Sequence, residues 1–410
     1  MRRFETIHDV VEPVEEYRPG GYHPVHLDDV ICYRYKIIAK LGFGRFSTVW
    51  LAQDLVYLYD GVNVQRYVAL KILKPGGPAG NTELATHQFL PSVYEQSREN
   101  VVELLNFFFE KGPNGMHLCL VFPVMLGDCQ DLAVTGKPRC AADVRLISKQ
   151  ILLGLDVIHR EGFIHCGALP SNQALCPTNT RGPADLQPAN ILITKIGAAE
   201  GEDQSLLDPP EFSPVKWLDG VEADNSAPRY LVPSQKRRGA LDGVDFSTLL
   251  FTIGDLGSVV NNELTPIPYI AMPNLPRGYD CLKTRPATPT ALRAPELIHQ
   301  DKWGVGIDIW ALGCLIFQLA TNEPLFPIGT FGLSREDIDA EHLRQIEQVL
   351  GGGPERFVEH LAARLPADFG EQNTRSLASF LLLMLQLDPA RRMGTGELLD
   401  QRYLHDAVEE

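Results

Sequence analysis

The spacing of apolar residues changes partway along the chain, and this change limits the folds open to it. From Tyr35 to about residue 123 the apolar residues fall in short runs, and beyond about residue 126 they recur at intervals of three and four. Short apolar runs are typical of β-strands, and apolar residues at intervals of three and four are typical of amphipathic helices. The sequence therefore predicts an α+β fold, with a small β-rich lobe over residues 35–125 and a larger α-helical lobe over residues 126–405.

Individual elements follow from the same pattern. The predicted strands are Tyr35–Leu41, Thr48–Ala52, Tyr67–Leu73, Val101–Phe109 and Met116–Phe122, and the predicted helix of the first lobe is Thr82–Leu90. We expect these strands to form a small antiparallel sheet. In the second lobe, apolar stripes at 144–158, 309–319 and 377–384 predict helices.

Three segments lie outside these patterns. Residues 1–34 are polar and contain several prolines and glycines, so we interpret them as an N-terminal extension. Residues 167–184 and 195–245 are rich in Gly, Pro, Asn and Asp and interrupt the helical lobe. We predict that both are loop insertions rather than separate domains.

The charge and the cysteines narrow the possible functions. The chain carries 52 acidic and 37 basic residues, for a formal charge of −15. This balance disfavours general binding to nucleic acid and attracts basic ligands, although it also serves solubility. The eight cysteines form no C-x-x-C pair, which argues against a zinc site or a disulfide framework. We find no signal peptide and no apolar run of the roughly 18 residues needed for a membrane span.

A glycine-rich segment and a lysine lie in the first lobe. The segment Leu41–Val49 contains Gly42 and Gly44 between two predicted strands, so its backbone can closely approach phosphate oxygens. Taken alone it also fits an ordinary hairpin turn. Lys71 follows in the third strand and could pair with the phosphates. Its predicted partner is Glu83 on the next helix, where an acid could equally interact with the helix dipole.

Oxygen ligands and a candidate base follow in the second lobe. Asp185 and Asn190 lie five residues apart before a short apolar strand, and Asp255 opens an Asp-Leu-Gly turn after another. Phosphoryl transfer to a hydroxyl needs a carboxylate that orients the hydroxyl and hard oxygen ligands for Mg²⁺. Each short motif is common by chance, but their serial order favours phosphoryl transfer.

Two further motifs have structural roles. Arg293-Ala294-Pro295-Glu296 precedes the strongest helical stripe, and we predict a buried ion pair between Glu296 and Arg392. We also expect Asp308 to hold the backbone of the catalytic loop. Helix caps and solvated charges are the simpler alternatives for these residues.

At this point the sequence resembles the eukaryotic protein kinases over residues 35–405. More narrowly, the segments at 20–25, 42–51 and 316–321 are similar to those of the serine/arginine-protein kinases, especially the fungal ones. The resemblance implies a two-lobed kinase fold, ATP and Mg²⁺ as cofactors, and a protein serine or threonine as acceptor. It also implies substrates with basic Arg/Ser-rich segments that are linked to mRNA splicing.

The resemblance also implies a role for each matching residue. Lys71, Glu83 and Asp185 would be catalytic, with Asp185 as the base, and Asn190 and Asp255 would bind the metal. The nucleotide-binding positions would be Leu41, Gly42, Gly44, Ser47, Val49, Ala69, Lys71, Phe122, Val124 and Met125. Thr284, Thr288 and Thr290 lie in the segment that corresponds to the activation segment of kinases.

The catalytic loop departs from the family pattern. Gln187 replaces the usual lysine, and residues Gly167–Ala184 separate His165 from Asp185. We hypothesise that this insertion is a retained intron. A working kinase with a tolerated loop is the leading interpretation. The alternatives are a pseudokinase or scaffold that binds ATP without transfer, and a small-molecule phosphotransferase.

The remaining expectations concern partners and location. We expect a monomer that binds protein substrates and contacts neither nucleic acid nor membrane directly. From the family we expect the protein in the cytoplasm and the nucleus.

Overall fold

A computed structural model describes most of the chain. The described residues are 2–5, 10–56, 58–59, 62–63, 66–75, 78–90, 98–134, 139–165, 186–196, 207, 209–235, 240–241, 243–258, 260–261 and 289–405. The predicted base Asp185, the predicted insertion 167–184 and two of the activation-segment threonines, Thr284 and Thr288, lie outside them. The chain divides into two compact units. Unit 1 contains residues 1–87, 102–127 and 194–244, and unit 2 contains residues 88–101, 128–193 and 245–410.

The strands are concentrated in the first third of the sequence. They are β1 Val30–Ile31, β2 Tyr35–Phe43, β3 Ser47–Asp54, β4 Leu58–Tyr59, β5 Val62–Asn63, β6 Arg66–Leu73, β7 Asn106–Gly112, β8 Gly115–Pro123, β9 Gly127–Asp128, β10 Phe163–Ile164, β11 Ile191–Lys195, β12 Ser213–Pro214, β13 Tyr230–Leu231, β14 Leu249–Ile253 and β15 Val260–Asn261. The helices are α1 Pro78–Phe89, α2 Cys129–Val134, α3 Ala141–Arg160, α4 Pro295–His299, α5 Gly306–Thr321, α6 Arg335–Leu350, α7 Gly353–Ala362, α8 Glu371–Met384 and α9 Thr395–Leu399.

Unit 1 is built on a six-stranded antiparallel sheet in the order β1-β2-β3-β6-β8-β7, which confirms the predicted small antiparallel sheet. Alternate residues of β6, namely Val68, Leu70 and Ile72, are buried in one hydrophobic cluster with Trp50. Alternate residues share this cluster because successive side chains of a strand point to opposite faces.

One predicted strand begins in the wrong place. The apolar run from Val101 predicts a strand to Phe109, but β7 begins only at Asn106. Val101 instead forms an isolated parallel bridge with Ile253 in unit 2. A continuous apolar run shows that a segment is buried, but it does not show which neighbour the segment pairs with.

The N-terminal extension and residues 209–235 have a small core of their own in unit 1. Its buried members are Phe4, Val11, Val14, Tyr17, Tyr22 and Leu231. Phe4 pairs with Trp217 through a β-bridge and a ring contact at 4.6 Å. The sequence assigned 195–245 to the helical lobe as an insertion, whereas residues 194–244 group with unit 1. Apolar residues some 200 positions apart share this core, and spacing along the chain carries no signal of such an association.

Unit 2 contains the long helices that the apolar stripes predicted. The stripe at 144–158 belongs to α3, in which Ile147, Ile151 and Leu155 are buried. A Cβ added to Gly154 would lie 2.3 Å from the backbone oxygen of Asn100. Glycine therefore allows α3 to pack closely on residues 98–100. Within the described residues, no helix is both long enough and apolar enough to cross a membrane.

Candidate active site

The glycine-rich segment forms the turn between β2 and β3, with Gly42 opposite Val49 and the Gly44 N–H donating to Ser47 O at 2.8 Å. A Cβ added to Gly42 or Gly44 would meet no atom within 4 Å, and neither residue has a positive φ. The protein's own packing and backbone conformation therefore do not require glycine at these positions. Close approach of a ligand to the backbone does require it, so these residues fit a bound triphosphate.

The strand register places four predicted nucleotide-binding residues, Val49, Ala69, Lys71 and Phe122, on one face of the sheet. Val49 lies opposite Lys71, and Lys71 lies opposite Leu120 on the next strand. Ala69 lies one pair further along, opposite Phe122. Directly paired residues have their side chains on the same face. This face therefore places the Lys71 ammonium beside the apolar side chains of Val49 and Leu120, an arrangement that suits an aromatic base followed by phosphates.

The other predicted nucleotide-binding residues flank this face. Leu41 is an extra residue on β2, because the register shifts between Lys40 and Gly42. Ser47 is buried at the start of β3, and Val124 and Met125 follow β8 in half-buried positions.

The ion pair predicted between Lys71 and Glu83 is present in unit 1. The Lys71 ammonium donates to both carboxylate oxygens of Glu83, at 2.7 and 2.8 Å. The Glu83 side chain is 2% exposed and that of Lys71 is 14% exposed. The carboxylate is therefore shielded from water, while the Lys71 side chain remains slightly exposed. A bidentate contact of this kind fixes the ammonium in position.

The two predicted metal ligands are neighbours in unit 2. β11 and β14 are adjacent strands, and the Gly254 N–H donates to Asn190 O at 2.8 Å. A Cβ on Gly254 would lie 2.7 Å from Leu192 Cδ1, so a larger residue here would have to displace the Leu192 side chain. Asp255 follows with φ at 51°, a left-handed conformation that costs free energy in any residue other than glycine. Strained backbone of this kind clusters at functional sites, and carboxylate and amide oxygens are ligands that Mg²⁺ accepts.

Asp308 holds the backbone of the loop that precedes the insertion, as predicted. Its carboxylate accepts the His165 N–H at 2.7 Å and lies 2.9 Å from His159 Nε2. The His165 ring lies fully buried with Nε2 3.2 Å from Gly254 O. Burial lowers the pKa of His165, against the opposing effect of Asp308, so the neutral ring can donate this bond.

The bond from His165 to the residue before Asp255 was missed by sequence reasoning. The family resemblance identified His165 as part of the catalytic loop, but its partner lies 89 positions further along. No local pattern links the two residues, since His165 follows β10 and Gly254 follows β14.

Both described flanks of the insertion are anchored in unit 2. His165 is held as described above, and Leu186 is fully buried on the other side. Gln187 precedes a turn in which the Asn190 N–H donates to Gln187 O at 2.9 Å. The residues that lead into Asn190 are therefore fixed in place despite the insertion.

The predicted Glu296–Arg392 pair is also present. The guanidinium donates to both carboxylate oxygens at 2.6 and 2.7 Å, and to Gly306 O at 2.8 Å. Both side chains are buried, and the guanidinium carbon lies 5.1 Å from the centre of the Trp310 ring. This pair joins the Arg-Ala-Pro-Glu motif to the start of α5.

Comparison with known proteins agrees with this geometry. Residues 275–404 match the protein kinase domain family. The chain is 28% identical to serine/threonine-protein kinase SRPK of Physarum polycephalum, over 96% of this chain and 91% of that protein. It is 26% identical to protein kinase dsk1 of Schizosaccharomyces pombe, over 97% and 86%. It is 35% identical to human SRSF protein kinase 3, over 96% and 90%.

These matches extend over nearly the whole length of each relative, and none of them favours the pseudokinase alternative. Every relative named above is a protein kinase by name, which agrees with the predicted serine/threonine kinase activity. The chain belongs to the SR protein kinase family of serine/threonine protein kinases.

Proposed function

We propose that this protein transfers the γ-phosphate of ATP to serine hydroxyls in Arg/Ser-rich proteins that act in mRNA splicing. The observation that carries the proposal is the Lys71–Glu83 ion pair, which lies in strand register with the open glycine turn at Gly42. The names of the relatives supply the substrate class.

Each unit contributes its own residues to this chemistry. In unit 1, Gly42 and Gly44 would let backbone N–H groups reach phosphate oxygens, and Lys71 would bind the α- and β-phosphates in the position that Glu83 fixes. Ala69 and Phe122 would pack against the adenine, and Val124 and Met125 would meet its edge.

The residues of unit 2 would hold the metal and the acceptor. Mg²⁺ bound with ATP neutralises charge on the phosphates. Asn190 and Asp255 would provide oxygen ligands for it, and Asp185 would orient the serine hydroxyl and accept its proton. Gln187 has no charge to offer the transferred phosphoryl group, but its amide can donate a hydrogen bond.

The charge of the chain supports a basic substrate. With a formal charge of −15, the protein attracts Arg-rich segments at long range and accelerates their association at low salt. We further propose that the protein acts as a monomer in the cytoplasm and nucleus, without direct contact to nucleic acid or membrane. Gel filtration coupled to light scattering tests whether the protein is a monomer, and microscopy of the tagged chain tests its location.

The decisive experiment measures phosphate transfer from ATP to an Arg-Ser repeat peptide by the full chain. A matched Arg-Ala peptide controls for the acceptor. Asp255→Ala removes the metal ligand, and Asp368→Ala removes an exposed acid of the same unit as a control. We expect transfer by the wild type and by Asp368→Ala alone. Transfer that persists in Asp255→Ala would contradict the assignment of Asp255.

A variant that lacks residues 167–184 tests the insertion separately. Transfer by both the full chain and the deletion variant would show that the loop is tolerated. Transfer only by the deletion variant would show that the insertion inactivates the chain, and a transcript that reads through these codons in frame would exclude a retained intron. No phosphate transfer by either chain would contradict the proposed function for this substrate.

A further inference from the structure

The tip of the glycine-rich turn is tied to the N-terminal extension. The Tyr22 hydroxyl donates to Gly44 O at 2.7 Å and lies 3.5 Å from Arg45 O. Gly44 is exposed, whereas Tyr22 is 3% exposed. Burial raises the pKa of Tyr22 well above its ordinary value, so the hydroxyl keeps its proton and remains a donor. A buried hydroxyl on one segment therefore restrains the carbonyl of an exposed residue on another.

Tyr22 is itself fixed from several sides. Its N–H donates to Glu16 O at 3.0 Å, and its carbonyl accepts from Asn114 Nδ2 at 2.6 Å. The Lys74 ammonium lies 3.8 Å from the centre of its ring and 3.1 Å from a Glu16 carboxylate oxygen. A hydroxyl on a ring held in this way stays in place without further loss of side-chain entropy.

The same lysine holds the other side of the turn. The Lys74 N–H donates to Phe46 O at 2.8 Å. Gly44 and Phe46 are therefore attached to two residues, Tyr22 and Lys74, that contact each other. The tip of the turn is bound on both sides to one rigid cluster.

A second connection lies at the base of the turn. Lys40 is the residue before Leu41, and its ammonium is fully buried in an ion pair with Glu12, which also accepts a hydrogen bond from Tyr17. The carbonyl of Lys40 accepts the Gln235 N–H at 2.7 Å. The extension and the segment that ends at Gln235 thus both reach the strand from which the turn projects.

We infer that the N-terminal extension is a built-in brace of the glycine-rich turn, with Tyr22 as the positioning residue that holds Gly44 ready for the nucleotide phosphates. This inference rests on the proposed ATP binding, because the turn would otherwise have no ligand. A flexible turn loses conformational freedom when it closes on a ligand, so ordering it in advance strengthens binding without new contacts.

The test compares Tyr22→Phe with Tyr35→Phe. The first variant removes only the hydroxyl that reaches Gly44. The second removes a buried hydroxyl of the same unit that accepts from Asn106 Nδ2 at 2.9 Å, on the sheet and not on the turn. Hydrogen–deuterium exchange of the backbone over residues 41–47 is measured without nucleotide. ATP affinity is measured by calorimetry, and kcat and KM are measured with an Arg-Ser repeat peptide.

For Tyr22→Phe we expect exchange over residues 41–47 to become roughly two- to tenfold faster, the net effect of one hydrogen bond. The Kd and KM for ATP should rise by a similar factor with kcat unchanged, and Tyr35→Phe should match the wild type. Unchanged exchange and affinity in Tyr22→Phe would overturn the inference, as would equal changes in Tyr35→Phe. If the chain binds no ATP, the proposed function fails, yet the exchange measurement still decides whether the brace exists.

Discussion

The Glu83 carboxylate holds the Lys71 ammonium at 2.7 and 2.8 Å from a position almost wholly shielded from water. Lys71 belongs to the central part of the sheet and Glu83 to helix α1, so the contact links the two kinds of element in unit 1. The ammonium is thereby held beside Val49, the residue that pairs with Lys71 on one side and with Gly42 on the other.

Replacing Glu83 with Gln should lower kcat/KM for ATP by roughly ten- to 100-fold, because a charge-assisted hydrogen bond to a buried partner is lost. Steady-state kinetics over a range of ATP concentrations measure this effect. Glu110→Gln is the matched control, since it removes the same charge from an acid on β7 that accepts a single backbone N–H, from Cys32. Equal loss in both variants would show that net charge, rather than the ion pair, is responsible.

Gly42→Ala should separate ligand binding from stability. The added Cβ meets open space at a φ that any residue adopts, so the free energy of unfolding should stay the same or rise by ~0.4–1 kcal/mol. The Kd for ATP should rise roughly tenfold or more, because the methyl group would crowd the phosphates.

Gly115→Ala is the contrasting variant. Gly115 has φ at 136°, and its added Cβ would lie 2.7 Å from Pro75. We therefore expect a loss of stability of more than ~1 kcal/mol in chemical denaturation, without a specific effect on ATP affinity. A lower free energy of unfolding in Gly42→Ala than in the wild type would mean that Gly42 is needed for stability.

The buried Lys40–Glu12 pair should be sensitive to the loss of one partner. Lys40→Met leaves the Glu12 carboxylate without its cation in a water-free site, and we expect a loss of ~3–5 kcal/mol in the free energy of unfolding. The double variant Glu12→Gln/Lys40→Met should recover most of this loss, because no unpaired charge remains. Additive losses in urea denaturation would show that the two residues act independently.

Two buried histidines should make the protein sensitive to acid. Burial lowers the pKa of His23 and of His342 to about 4. Below about pH 6.5 the unfolded chain takes up protons that the folded protein refuses. The free energy of unfolding is therefore not reduced by these histidines above about pH 6.5. It falls as the pH drops toward 4, by up to roughly 3 kcal/mol for each histidine.

The pH dependence can be assigned with His342→Leu. Neither ring nitrogen of His342 has a hydrogen-bond partner among the described residues, so the apolar replacement breaks no bond there. We expect the free energy of unfolding to fall less steeply between pH 6.5 and 4 in this variant than in the wild type. An identical slope would exclude His342 as a source of the acid sensitivity.

The strands β2, β3, β6 and β8 and the helices α3, α5 and α8 lie where the sequence predicted them, because the spacing of apolar residues reflects which side of an element is buried. The sequence did not predict helix α6 or the short two-residue strands. The stripe at Ile147, Ile151 and Leu155 predicted the helix α3, and the apolar run Tyr67–Leu73 predicted the strand β6. The pairs Lys71–Glu83 and Glu296–Arg392 could also be anticipated. Their motifs occur in a fixed serial order that a resemblance to kinases makes meaningful.

The sequence by itself determined the α+β class, the order of the motifs and the residue types at each proposed site, since these depend on local spacing and on side-chain chemistry. Only the tertiary structure decided that His165 contacts Gly254, that Tyr22 holds Gly44, and that residues 209–235 share a core with the N-terminal extension. These contacts join positions far apart along the chain. They are stable only when many surfaces are buried together, so no single segment carries a record of them.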